Sequence, residues 1–111
     1  MLNEVLKDLK VQQTTMTTGC GPVVLAAAPG NRSFYSAFGA SEKDGGGTDV
    51  FLYLIRHRTT GEWEVGTGHL SDAATLVRDT VVASSNSDCA VDFSPGVKDV
   101  TNNIYELAYD A

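Results

Sequence analysis

From Val11 onward, short runs rich in Thr, Val and aromatic residues are broken by glycine every eight to twelve positions. β-Branched and aromatic residues favour strands, and glycine at short intervals favours turns. The spacing predicts an all-β fold, a small antiparallel sandwich or barrel of about six to eight strands. The predicted strands cover residues 10–17, 22–27, 49–58, 62–70, 75–82 and 97–107, with a shorter piece at 90–93.

The clearest local prediction is a β-hairpin between residues 49 and 70. Its turn is Thr59-Thr60-Gly61, where glycine can supply the positive φ of a short connection. On the returning strand, side chains alternate with a period of two, and we expect the face of Trp63 to point inward and Trp63 to be a core residue. Gly66 and Gly68, on the other face, indicate a bend or a close backbone approach.

The chain of 111 residues is long enough for one domain and too short for two. The expected organisation is an N-terminal arm at 1–9, a β module at 10–100, and a last strand with a C-terminal arm at 101–111. Apolar residues in the first arm follow i, i+3, i+4, i+7, the pattern of a short amphipathic helix. They are Leu2, Val5, Leu6 and Leu9.

Charge and hydropathy exclude several classes of partner. Eight basic against 14 acidic residues give a net charge of −6, so phosphate backbones and anionic membranes repel the chain. No run approaches the ~20 apolar residues of a membrane span, and the N-terminus lacks the apolar centre of a signal peptide. We expect no nucleic acid, no membrane, and synthesis in the cytosol without export by the usual route.

Motifs that carry chemistry are sparse. His57 and His69 lie near the ends of predicted paired strands, but a metal site would need a third ligand such as Asp72, so we favour two solvated or partly packed histidines. The glycine runs lack the Gly-Lys-Ser/Thr sequence of a phosphate-binding loop. Arg78-Asp79 can form an ion pair, a polar seam across a subunit contact, or a solvated face. We expect a protein that is not an enzyme, with no metal and no cofactor.

Cys20 and Cys89 are 69 positions apart and too few for a structural zinc site. Three interpretations remain: unrelated thiols, an internal disulfide, or a cross-link between subunits. An internal bridge of this span would stabilise the fold by roughly 4 kcal/mol on the chain-entropy model. Cytosolic synthesis disfavours a disulfide unless the protein ends up outside the cell.

Five stretches of the sequence carry a resemblance to a known family. They are Thr14–Gly19, Pro22–Leu25, Gly61–Gly68, Thr75–Asn86 and Ala90–Val100. Together they resemble a small module of tailed bacteriophages, found as a stand-alone virion protein and within tail-fibre and tailspike-like proteins. The similarity covers about residues 9 to 100. Its most specific parts are residues 76–86 and the Trp-Glu-Val-Gly element at 63–66.

The resemblance implies a non-enzymatic structural or attachment domain, made in the host cytoplasm and carried in the virion. It decorates or cements the capsid, neck or tail, or anchors a fibre. Its expected partners are other virion subunits and further copies of itself, with a trimer favoured. The alternative is an outward-facing module that binds host-surface glycans on Tyr35, Tyr53 or Trp63. The expected interface residues are Leu2, Val5, Leu6, Leu9, Phe34, Tyr35, Phe38, Tyr105, Leu107 and Tyr109.

The cysteines depart from that module, which usually has small or polar residues at the two positions. Because Cys20 and Cys89 both replace such residues, the resemblance favours their pairing, within one chain or between chains. A virion released into an oxidising medium supplies the redox conditions that such a bond needs.

Overall fold

A computed structural model describes residues 11–28, 30–38 and 50–102. Its elements are β1 (Gln12–Thr15), β2 (Val23–Ala27), α1 (Phe34–Phe38), β3 (Phe51–His57), β4 (Trp63–Asp72), β5 (Thr75–Ser84) and β6 (Lys98–Thr101). The strands form a closed antiparallel barrel in the order β1-β2-β5-β4-β3-β6, in which β6 also pairs with β1. The all-β prediction is confirmed, and the fold is a barrel.

The predicted hairpin is confirmed as β3 and β4. Their register runs from Phe51 opposite Gly68 to Arg56 opposite Trp63, and Gly61 has a φ of +84° in the turn. Residues 90–93, predicted as a short strand, instead make a single bridge in which Phe93 pairs with Gly19. The predicted N-terminal arm at 1–9 lies outside the described residues, as does the predicted last strand and C-terminal arm at 101–111 beyond Asn102.

The inward face of β4 is opposite to the prediction. Glu64, Gly66 and Gly68 point into the barrel, and Trp63 is on the outer face, partly exposed. The reason is Tyr53 of β3, which is fully buried and fills the space left by the two glycines. A Cβ on Gly66 would lie 2.7 Å from the Tyr53 hydroxyl oxygen, so the predicted close approach at this glycine is confirmed.

β5 is paired unequally on its two sides. It pairs with β4 along its whole length but with β2 only through Leu76 opposite Val23 and Thr75 opposite Val24. Two register shifts against β4 leave Asp79 and Val82 as extra residues in β5. Such bulges bend a strand and increase its twist.

The apolar core fills the barrel and extends under α1. Phe34 is completely buried, and its ring centroid lies 5.0 Å from that of Phe51. α1 therefore closes the barrel end where β3 begins. The buried core residues are Val11, Val23, Leu25, Phe34, Phe51, Tyr53, Ile55, Leu70, Leu76, Val91, Phe93 and Val100.

Candidate functional site

The opposite end of the barrel, where β3 ends and β6 begins, contains a buried ion pair. Arg78 of β5 and Glu64 of β4 are 2.9 Å apart (Nη1 to Oε1), and their side chains are 3% and 0% exposed. Tyr53 donates its hydroxyl proton to Glu64 Oε2 at 2.5 Å. Burial raises the pKa of Tyr53, and the hydrogen bond and charge of Glu64 raise it further, so Tyr53 stays a donor.

Arg78 also fixes two loops, the β1–β2 loop (residues 16–22) and the β5–β6 loop (residues 85–97). Its guanidinium donates to the carbonyl oxygens of Gly19 at 3.0 Å, Gly21 at 3.1 Å and Val91 at 3.2 Å. It also lies over the ring of Phe93, 5.5 Å from the centroid. One buried cation therefore holds the backbone of both loops against the barrel, and its planar fork suits this use.

Glu64 and Glu62 both accept hydrogen bonds from the β5–β6 loop. The Val91 N–H donates to Glu64 Oε1 at 2.8 Å. Glu62 accepts from the Ser94 N–H at 3.0 Å and from the Ser94 hydroxyl at 2.8 Å. The hydrogen bond from the Ser94 N–H lowers the pKa of Glu62 most. The hydroxyls of Ser94 and Thr60 and the charge of His57 lower this pKa further, whereas burial raises it by less than the Ser94 N–H lowers it.

His57 is buried at the last position of β3 and also holds the β5–β6 loop. Its Nε2 lies 2.8 Å from the Pro95 carbonyl oxygen, and its Nδ1 accepts from the N–H groups of Thr59 and Thr60. Because a carbonyl oxygen only accepts, Nε2 is the donor to Pro95. Gly96 packs on this ring with a φ of +124°, and a Cβ there would lie 2.8 Å from His57 Cε1.

Lys98, at the start of β6, is completely buried beside His57. Its ammonium group donates to the Thr17 carbonyl oxygen at 2.9 Å and so reaches the β1–β2 loop. Burial lowers the pKa of Lys98, and the negative charge of Glu62 opposes this shift. Lys98 thus anchors the β1–β2 loop, and Glu62 anchors the β5–β6 loop.

We call the seven residues that make these contacts the polar closure. They hold loop backbone over the barrel end, Tyr53 indirectly through Glu64 and Ser94 as the loop residue that Glu62 binds. The hydrogen-bond donors and acceptors of this arrangement bind the protein's own loops, and their chemical effect is to order those loops. The members are Tyr53, His57, Glu62, Glu64, Arg78, Ser94 and Lys98.

The structure does not bring the predicted metal candidates together. His57 belongs to the polar closure, whereas His69 Nδ1 lies 2.8 Å from Asp79 on the outer face. Asp72 accepts from the Ala74 N–H and the Thr75 hydroxyl in the β4–β5 turn. Within the described ranges, no three His, Cys, Asp or Glu side chains converge as metal ligands would.

The cysteines are free, exposed and apart from one another, so an internal disulfide is wrong for this structure. Cys20 lies between two glycines whose carbonyls are bound by Arg78. Cys89 is fixed by its bridge to Asn86 and by the Ser84 hydroxyl, which donates to its carbonyl. Separate contacts therefore hold the backbone at or beside the two cysteines. A cross-link between subunits stays a prediction.

The predicted interface residues have different outcomes. Phe34 is a core residue, not a surface one, because it packs on Phe51 beneath α1. Tyr35 is 49% exposed, and Phe38 is described only as the last residue of the helix backbone. The remaining candidates lie outside the described residues: Leu2, Val5, Leu6, Leu9, Tyr105, Leu107 and Tyr109.

The predicted glycan-stacking residues also differ in whether they are buried or exposed. Tyr53 is buried against Glu64 and cannot meet a sugar. Trp63, expected in the core, is partly exposed on the outer face, and Tyr35 is exposed. The two accessible rings are on different elements, α1 and β4.

Sequence reasoning missed most of the polar closure. Arg78 was considered as an ion pair, but with its neighbour Asp79, whereas its partner Glu64 is 14 positions away. The available signal was Glu64 on the strand face that carries Gly66 and Gly68, together with an arginine within an apolar strand. Among the described residues, no helix has the length and apolar character needed to cross a membrane.

The chain matches none of the protein-family models, curated proteins or solved structures with which it was compared.

Proposed function

We propose that this chain is a non-enzymatic structural protein of a bacteriophage virion, which cements or decorates the capsid, neck or tail, or anchors a fibre. The observation that carries the proposal is the polar closure. Its buried charged groups hold the chain's own loops, with Arg78 alone reaching three backbone carbonyls. A small barrel braced in this way suits a protein that must keep its shape between neighbours.

The resemblance to the phage module supports the same function. Its most specific parts are residues 76–86, which cover most of β5 and the first two residues of the loop after it, and residues 63–66 of β4. They contain Arg78, Glu64 and Gly66, the residues that form the buried ion pair and make room for Tyr53. The shared residues thus have a physical reason to occur together.

Surface features are consistent with contacts between subunits. Large apolar side chains are exposed at several places on the barrel, and both thiols are accessible. On a monomer, single exposed apolar residues are ordinary, so only assembly measurements test this point. The exposed set is Met16, Val24, Tyr35, Val50, Leu52 and Val82.

The first test is the copy number of the chain in gradient-purified particles of the phage that encodes it, measured by quantitative mass spectrometry against the major capsid protein. The proposal expects a fixed ratio that survives repeated purification. Light scattering of the purified chain is expected to give a trimer. Absence from the particles, together with a monomer that binds no virion protein, would contradict the proposal.

The second test addresses covalent cross-linking between subunits. Virion proteins are separated in denaturant with and without reductant, for the wild type and for the Cys20→Ser/Cys89→Ser variant. A reductant-sensitive multimer that the variant lacks supports a disulfide between chains. An unchanged monomer band in every lane shows that the contacts are non-covalent.

An alternative function is binding of host-surface glycans, which the 49% exposure of Tyr35 favours. Aromatic rings that stack on sugars must be accessible and lie beside polar groups. Glycan-array binding that the Tyr35→Ala variant loses would favour this alternative over cementing. Phe34→Leu is unsuitable for this test because Phe34 belongs to the core.

A further inference from the structure

Two carboxylates, in addition to His57, attach the β5–β6 loop to the barrel at separate places. At the first, Val91 bonds Glu64 and Arg78, whose side chains are 0% and 3% exposed. At the second, Ser94 makes two hydrogen bonds to Glu62, which is only half-buried. The second attachment therefore rests on a carboxylate that solvent protons can reach.

Groups from several parts of the chain surround the Glu62 carboxylate. Ser94 of the loop supplies two donors, and the Thr60 hydroxyl of the β3–β4 turn also lowers the pKa of Glu62. The charges of His57 on β3 and Lys98 on β6 act on it as well. His57 donates its Nε2 proton to the Pro95 carbonyl oxygen. The buried ammonium group of Lys98 is bonded to the β1–β2 loop. Glu62 is thus the acidic group that binds residue 94 to the barrel.

We propose that residues 94–96 are an acid-released closure of the barrel end, which protonation of Glu62 detaches while the six strands stay paired. A protonated carboxyl has no charge and fewer free acceptor positions, so it holds the two Ser94 donors weakly. Once Ser94 leaves, the bond between His57 Nε2 and the Pro95 carbonyl oxygen is the remaining hydrogen bond from residues 94–96 to the barrel among those described, and it must break as well for His57 to be uncovered. The imidazole, now only 4% exposed, then becomes accessible to water.

The pH direction follows from the hydrogen bonds. Because Ser94 lowers the pKa of Glu62 below its ordinary 4.5, the closed loop is stabilised at pH values above 4.5. That stabilisation is lost as the pH falls through the lowered value. Each pKa unit of lowering corresponds to about a tenfold change in the closing equilibrium.

The release is confined to a short segment. Phe93 exchanges two backbone hydrogen bonds with Gly19, at 3.0 and 3.1 Å, and its side chain is buried. On the other side, the Arg58 N–H donates to the Val97 carbonyl oxygen at 3.2 Å. These bonds do not involve Glu62, so they hold both ends of residues 94–96 when that contact breaks.

Amide hydrogen exchange measured by NMR between about pH 6.5 and about pH 3 tests the proposal. The reporter is the Ser94 N–H, and the reference amides are those of β3 and β6. In the wild type, the Ser94 protection factor is expected to be lost as the pH falls while the strand amides keep theirs. Loss of Ser94 protection together with the strands would show global acid unfolding and overturn the proposal, as would constant protection.

Two variants distinguish protonation of Glu62 from protonation of other acidic groups. E62Q is expected to give low Ser94 protection throughout the pH range, with the strand amides unchanged. D72N is the matched control, because hydrogen bonds from Ala74 and Thr75 also lower the pKa of Asp72, but in the β4–β5 turn. D72N is expected to keep the wild-type response at Ser94. A flattened response in D72N, or a wild-type response in E62Q, would refute the role of Glu62.

A measurement on the wild type alone covers the case in which E62Q does not fold. The carbon resonance of the Glu62 carboxyl and the amide resonance of Ser94 are followed in one titration. The proposal expects a shared midpoint below pH 4.5. A Ser94 transition without titration of Glu62 would overturn it.

Discussion

The two ends of the barrel are closed by different physical means. At the end where β3 begins, α1 inserts Phe34 against Phe51, and the contact is apolar apart from the Phe34 N–H, which donates to Gln13 at 2.9 Å. At the other end, the polar closure holds two loops by charge-assisted hydrogen bonds. An apolar plug depends on shape and volume, whereas a polar closure depends on every donor finding its acceptor. The first end should therefore tolerate changes of pH and the second should not.

Removing the cation of the polar closure is expected to have the largest effect. Arg78→Met leaves Glu64 as a buried charge without its partner and three loop carbonyls without their donor. Loss of one partner of a buried pair costs about 3 to 5 kcal/mol. Urea unfolding measures this loss, and the double variant E64Q/R78M should recover part of it because no buried charge remains. Equal stability of the wild type and Arg78→Met would show that the ion pair does not brace the fold.

Removing the Phe34 ring from the apolar end of the barrel is expected to lower the free energy of unfolding slightly less. Phe34→Ala should destabilise the protein by about 3 kcal/mol, near the lower end for such changes, because the five-residue α1 can settle into the gap. The loss should be the same at pH 7 and at pH 5. Tyr35→Ala, an exposed neighbour, is the control and should change stability by less than about 0.5 kcal/mol. A strong pH dependence of the Phe34→Ala loss would remove the distinction between the two ends.

A substitution at Gly66, inside the barrel, tests how closely Tyr53 packs there. Gly66→Ala places a Cβ against the Thr80 carbonyl and 2.7 Å from the Tyr53 hydroxyl oxygen, so the ring must move away from Glu64. We expect a loss of about 1 to 3 kcal/mol in thermal or urea unfolding. Gly21→Ala is the control, since no atom lies within 4 Å of its Cβ position. Equal effects of the two substitutions would be evidence against close packing at Gly66.

The smallest effect is expected at the thiols. Cys20 and Cys89 are exposed and unpaired in loops of the polar end, so Cys20→Ser/Cys89→Ser should change the stability of the isolated chain by less than about 0.5 kcal/mol. Urea unfolding with and without reductant measures it. A wild-type stability that falls by several kcal/mol on reduction, with no such fall in the variant, would show that the thiols pair within one chain.

Local pattern predicted the strands well and the interior of the barrel poorly. The β3–β4 hairpin could be predicted because alternation and the turn glycine, Gly61, act over a few residues. The inward face of β4 was misassigned because Glu64 is a charged residue in the core, which the usual preference for apolar residues inside does not anticipate. Only Tyr53, on another strand, shows why that face carries glycine.

Contacts distant in sequence account for the rest of what the sequence did not predict. Arg78 reaches Gly19 and Gly21 across 59 and 57 positions, and no periodicity encodes such a pairing. Phe34 was considered as a surface residue for the same reason, since its partner Phe51 is in a different element. The candidate site is thus a product of barrel closure, which places the ends of separate strands side by side.

The uneven pairing of β5 has a consequence for solubility in a crowded assembly. Beyond Leu76, no described strand pairs with the second edge of β5, and exposed backbone of this kind can template the addition of a foreign strand. The extra residues Asp79 and Val82 interrupt that edge. A straight incoming strand finds no long run of aligned amides, so the barrel resists edge-to-edge aggregation.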